Sequence, residues 1–91
     1  MKKQLLSRKE TLRSIQVASK KPEVLEALLE HMLTPGEYDE LVVRTEILKR
    51  LLKGEQQRVI AKDLGIGIAT VTRGSREVQR MTPEIKKIIL K

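Results

Sequence analysis

Residues 68–80 read I-A-T-V-T-R-G-S-R-E-V-Q-R and carry side chains that a helix would sort by chemistry. Wound at about 100° per residue, they fall into three stripes. Ile68, Val71, Ser75 and Val78 share one face, which is expected to be buried. Ala69, Thr72, Arg76 and Arg80 share a second. Small and hydroxyl side chains suit contacts to base edges, and guanidinium groups suit phosphates. Thr70, Arg73 and Glu77 form a third stripe at i, i+3 and i+7. A helix that only packs and reads DNA needs two of these stripes. The third requires another task.

The elements around this helix are those that would hold it against DNA. Gln57–Leu64 reads as a short helix, Gly65-Ile66-Gly67 as a turn, and Ile68 to about Arg80 as a second helix. Two helices joined by a tight glycine-containing turn are the signature of a helix-turn-helix, here spanning 57–80. Ala61 is small where the two axes approach. Gly65 stands where the first helix must end in a left-handed residue. Ile60, Leu64, Ile66, Ile68, Val71 and Val78 are expected to supply the apolar contacts between and beneath the helices.

Further elements precede and follow. Residues 1–8 read as a flexible basic arm, followed by a helix. Pro22 can open the next helix, whose Val24, Leu25, Leu28, Leu29 and Met32 predict a buried amphipathic face. Thr34-Pro35-Gly36-Glu37 predicts a capping box at the head of the longest helix, Pro35 to Lys53. Leu41, Ile47, Leu48, Leu51 and Leu52 mark its apolar side, Arg44 lies at the edge of that side, and Gly54 can end it. Thr82-Pro83 restarts a last helix to about Leu90. Its Ile85, Ile88 and Ile89 need a partner, from the N-terminal helices or a second subunit. The fold class is therefore all-α, about six helices in a single domain of 91 residues.

Composition narrows the chemistry. There are no cysteines and one histidine, His31, which leaves no thiolate metal site and little scope for hydrolytic or zinc chemistry. No enzyme is expected. No apolar run approaches membrane-spanning length, and a cytoplasmic protein is expected. The net charge of +7 is unevenly placed. Residues 1–21 hold seven basic groups against Glu10, and 58–80 hold five against two. Between them, 22–57 hold four basic and eight acidic groups. A basic arm and a basic helix-turn-helix around an acidic body fit a nucleic-acid binder.

Four segments together resemble the tryptophan repressor family. They are H-M-L-T-P-G-E at 31–37, the helix with Arg44, Leu51-Leu52-Lys53-Gly54-Glu55, and G-I-G-I-A-T-V-T-R-G-S at 65–75. The resemblance covers roughly residues 31–80. It implies an intertwined homodimer that represses transcription, binding operator DNA when L-tryptophan, the corepressor, lies between the recognition helix and the long central helix. No other cofactor is implied. By position, Arg44 and Arg73 would sandwich the indole, and Arg73 and Thr34 would hold the carboxylate. Leu48, Thr70 and Gly74 would line the pocket, and backbone around His31 and Leu33 of the other subunit would face the ammonium. Arg58, Ile68, Ala69 and Thr72 would face DNA.

The third stripe then has a task. A planar guanidinium stacks on an aromatic face and grips a carboxylate in a way lysine does not. The chain departs from the family pattern in places. The turn before Gln57 is one residue short, which removes the usual cap. Ala61 and Gln79 stand where lysines are common; Arg76 and Arg80 would replace those contacts. Glu77 occupies a position that is usually small or uncharged. It would pair either with the ligand ammonium or with Arg73. A helix-turn-helix protein of similar fold with a different ligand, or none, is the alternative. A helical protein-interaction module is a third reading, which predicts no salt-sensitive retention on DNA.

Overall fold

The computed structural model describes the backbone of residues 2–91 and the side chains from Ser7 onward. Those residues form six α-helices and no strand, an all-α fold. They gather into two compact units, residues 1–38 and 39–91.

The N-terminal unit pairs α1 (Lys2–Ala18) with α2 (Pro22–Met32). Helix α1 begins at Lys2, earlier than the helix expected after Arg8. Met1 of the expected arm lies outside the described residues, as do the side chains of residues 1–6. Ala18 is buried at the end of α1, and Ser19 Oγ donates to the carbonyl of Gln16 at 2.7 Å where the chain turns. Pro22 opens α2, where its missing N–H costs nothing. The apolar stripe of α2 is not buried as expected. Val24 and Met32 are each 45% exposed, and no residue of α2 is fully enclosed. A two-helix unit offers the stripe a single neighbour, and α1 is rich in charge.

The capping box at 34–37 is formed. The Thr34 N–H donates to Glu37 Oε1 at 2.9 Å, and the Glu37 N–H donates to Thr34 Oγ1 at 3.2 Å. These reciprocal bonds satisfy donors that the first helical turn leaves open. They start α3, Pro35–Leu52.

The C-terminal unit holds the rest of α3 with α4 (Gln57–Leu64), α5 (Ile68–Arg80) and α6 (Pro83–Leu90). Helix α3 ends at Gly54, whose φ of 88° is open to glycine without strain. The Gly54 N–H returns to Leu51 O and the Glu55 N–H to Arg50 O, the double closure of a Schellman turn. Helix α4 ends the same way at Gly65, with φ 65° and bonds from Gly65 to Lys62 O and from Ile66 to Ala61 O. Both turns close on backbone bonds.

The core sits between α3, α4 and α5. Ile60 and Val71 are fully enclosed, Ile47 is 2% exposed and Ala61 8%, with Val43, Leu51, Leu64 and Ile66 packed around them. Ala61 fits the close approach of α4 and α5, as its size predicted. Ile68 does not join the buried face expected for it. It is 50% exposed, because the first residue of α5 projects past the end of α4. Thr82 Oγ1 accepts from the Ile85 N–H at 3.3 Å and caps α6, whose Ile85, Ile88 and Leu90 are exposed at 42%, 64% and 45%.

Candidate functional site

Gly74 of α5 faces Ile47, Leu48 and Leu51 of α3. A Cβ placed there would lie 2.9 Å from Ile47 Cγ2 and 3.3 Å from Leu51 Cδ1. The third stripe of α5 is thereby brought beside α3. Between them opens a cavity of about 270 Å³, lined by Arg44, Ile47 and Leu48 of α3 and Thr70, Arg73, Gly74 and Glu77 of α5. That volume is near the lower end of small-molecule pockets. Its floor is aliphatic, from Ile47 and Leu48, and its rim carries two guanidinium groups, a hydroxyl and a carboxylate.

Six of the eight residues expected at a ligand, Arg44, Leu48, Thr70, Arg73, Gly74 and Glu77, thus line one cavity. Ile47 joins them; the sequence had marked it only as apolar packing. Leu33 and Thr34 belong to the N-terminal unit, where Thr34 serves the α3 cap and Leu33 is half-buried.

The charges on the rim are placed for different tasks. Arg44 makes a loose 3.9 Å pair with Glu40, one turn earlier, and both are largely exposed. Such a pair contributes little and leaves the guanidinium available. Glu77 pairs with Arg80 at 3.2 Å, one turn on. Of the two partners considered for Glu77 from sequence, Arg73 is therefore not the one it takes. Among the described residues no carboxylate stands within ion-pair distance of Arg73. A guanidinium in a cavity wall without its own counterion is suited to receive a carboxylate from outside.

The residues expected to face DNA are on the exposed side of α4 and α5. Arg58, Ala69, Arg76 and Arg80 are exposed, as is Ile68. Thr72 is half-buried, and its Oγ1 donates to Gln57 Oε1 at 2.7 Å. This bond spans the turn and fixes the hydroxyl of α5 to the first residue of α4. The sequence marked Gln57 only as a helix start. A separation of fifteen residues carries no periodic signal that would have paired it with Thr72.

Comparison with known proteins places this geometry in context. Residues 9–91 match the family model described as Trp repressor protein. The chain is 46% identical over 65 residues to the Trp operon repressor homolog of Vibrio atlanticus (strain LGP32), covering 70% of this chain and 66% of the relative. It is 50% identical over 60 residues to the Trp operon repressor homolog of Vibrio vulnificus (strain YJ016), covering 65% and 59%. That of Vibrio campbellii (strain ATCC BAA-1116) is 53% identical over 55 residues, covering 59% and 55%. The matched stretch thus spans between 55% and 66% of the length of these curated relatives.

Proposed function

Because the chain belongs to the Trp repressor family, we propose that it is a regulatory DNA-binding protein whose grip on operator DNA is set by L-tryptophan in the α3–α5 cavity. The observation that carries this reading is that Arg44 and Arg73, on different helices, line that one cavity. Arg73 receives the carboxylate, and the two guanidinium planes stack on the indole faces. The aliphatic floor covers ring carbons.

The mechanism follows from where Arg73 stands. Helix α5 carries the cavity stripe and the DNA stripe on one rigid element. With α4 and the Gly65–Gly67 turn it serves as the helix-turn-helix. A ligand wedged against α3 fixes the angle of α5, so it favours the arrangement in which Ala69, Thr72 and Arg76 meet the groove. By linkage, DNA tightens ligand binding by the same factor. The working form is a homodimer, in which backbone around His31 and Leu33 of the other subunit would face the ligand ammonium. Exposed Leu12, Val17, Val24, Met32, Ile85 and Ile88 support this reading, since a monomer would leave them in water. No described helix is long and apolar enough to cross a membrane.

The chain has no tryptophan, so added L-tryptophan is the only indole emitter present. Its fluorescence anisotropy is expected to rise on titration with protein and to rise further with cognate duplex. Anisotropy that stays at the free-ligand value, with and without duplex, rejects tryptophan as the ligand.

A further inference from the structure

Arg50 is a charged side chain that neither the cavity nor the DNA stripe uses, yet it is only 15% exposed. It stands on the last turn of α3. Its Nε and Nη2 both reach Glu55 Oε1, at 2.8 and 2.7 Å, and Nη2 also reaches Asp63 Oδ2 at 2.8 Å. The first pair of contacts crosses the Schellman turn at Gly54. The second reaches the far end of α4. Hydrogen bonds donated to Glu55, and then to Asp63, hold the guanidinium protonated more firmly than an ordinary arginine.

Helix α4 needs such a tie. It has eight residues, too few to be stable alone in water. Its N-cap, Gln56, makes no side-chain bond to the first turn. Local sequence therefore supplies no cap at its start, and the linker that precedes it is short. An arginine that grips both the linker and the last turn of α4 supplies from the side what the cap does not. The planar fork is needed, because one ammonium does not address two carboxylates in fixed directions as well.

We infer that Arg50 is a positioning residue that locks α4 to the end of α3, and that this lock sets duplex affinity without touching DNA or ligand. The inference rests on the repressor reading for its effect on DNA, and on geometry alone for the lock. Its partners Glu55 and Asp63 lie outside the cavity lining, so breaking the lock separates DNA binding from ligand binding.

The test uses the full chain, L-tryptophan, and a duplex selected from a random pool by the parent protein. Arg50→Gln is expected to speed amide exchange at residues 58–64 while residues 41–48 keep their protection. It is expected to lower affinity for the selected duplex on the order of tenfold, the scale on which residues remote from both ligands alter coupling, and to leave L-tryptophan affinity unchanged. Asp63→Asn, at the exposed partner, should reproduce both effects and add nothing to Arg50→Gln; it carries the test if Arg50→Gln does not fold. Arg50→Lys should recover part of the loss. Unchanged exchange across α4 overturns the lock. Equal loss of duplex and tryptophan affinity overturns the positioning role, because it reports general destabilisation. A parent chain that selects no duplex sinks the repressor reading, while the exchange measurement still decides the lock.

Discussion

Gly74 of α5 and Ile47 of α3 leave no room between them: a Cβ on Gly74 would come within 2.9 Å of Ile47 Cγ2, and Ile47 is 2% exposed. A buried branched side chain has few other rotamers to take. Gly74→Ala gains helix propensity, roughly 0.5–1 kcal/mol. Overpacking costs more, about 1–3 kcal/mol. Net destabilisation of about 1 kcal/mol or more is expected by urea unfolding, with weaker L-tryptophan binding as α5 is pushed from α3. Ile47→Ala alone is expected to be costlier, yet combined with Gly74→Ala it should cost less than the two together. Strict additivity would show that the contact does not set the helix spacing.

Arg73 and Arg76 lie three residues apart and should lose different things. Arg73 lines the cavity and Arg76 does not. Arg73→Ala is expected to abolish L-tryptophan binding and to leave duplex affinity weak whether or not the amino acid is added. Arg76→Ala should keep tryptophan binding while lowering duplex affinity by roughly 1–3 kcal/mol, the scale of a charge-assisted or base-edge contact. Anisotropy with L-tryptophan and gel retardation with duplex separate the two outcomes.

Glu77 faces the cavity but pairs with Arg80, at 3.2 Å, so it does not compete for Arg73. A carboxylate in that wall favours an ammonium on the ligand. Glu77→Ser is accordingly expected to weaken L-tryptophan binding, by less than about 1 kcal/mol given its exposure. The desamino analogue, which has no ammonium, should bind the two proteins alike. If Glu77→Ser strengthens binding of both compounds, the carboxylate opposes the ligand and the assignment of its role is reversed.

The bond from Thr72 Oγ1 to Gln57 Oε1 predicts a stability effect separable from any loss at DNA. Thr72→Val replaces the hydroxyl with a methyl at similar helix propensity. It should cost about 1 kcal/mol in urea unfolding without DNA, the usual worth of one hydrogen bond. Gln57→Ala should cost about as much, and the pair together no more than either. Thr72→Val that is as stable as the parent would mean that the bond contributes nothing in solution.

A homodimer is expected from the exposed apolar residues of α1, α2 and α6. Sedimentation at micromolar concentration should give twice the chain mass. Ile88→Glu, on the most exposed isoleucine of α6, should shift the equilibrium toward monomer. A folded monomer for the parent at that concentration rejects the dimer.

Much of this was legible in the sequence because helix ends are decided locally. The reciprocal bonds of Thr34 and Glu37, the left-handed Gly54 and Gly65, and the Thr82 cap each depend on residues within a few positions. The cavity stripe was legible too, since Thr70, Arg73 and Glu77 follow helical spacing. What the sequence did not reveal crosses between helices. Arg50 meets Asp63 and Thr72 meets Gln57 through separations set by the turns, and no periodicity announces such pairs. Ile68 was assigned to the buried face by its stripe, but where α5 begins relative to α4 left it half exposed. Helix α2 kept its stripe and lacked a sufficient neighbour, which pattern alone does not reveal.

The separation of stripes on α5 has a consequence for engineering. Thr70, Arg73 and Glu77 share no position with Ala69, Thr72, Arg76 and Arg80, although the two sets interleave along one helix. On the proposed reading, small-molecule choice and promoter choice would be set by different positions of a single thirteen-residue segment, with the Glu77–Arg80 pair joining the two sets. Libraries at 70, 73 and 77 can be screened for new effectors against one fixed reporter. Libraries at 69, 72 and 76 can be screened for new promoters with one fixed effector. Variants from the two screens should then combine in one gene, provided that Gly74 and Val71, which seat the helix, are left alone.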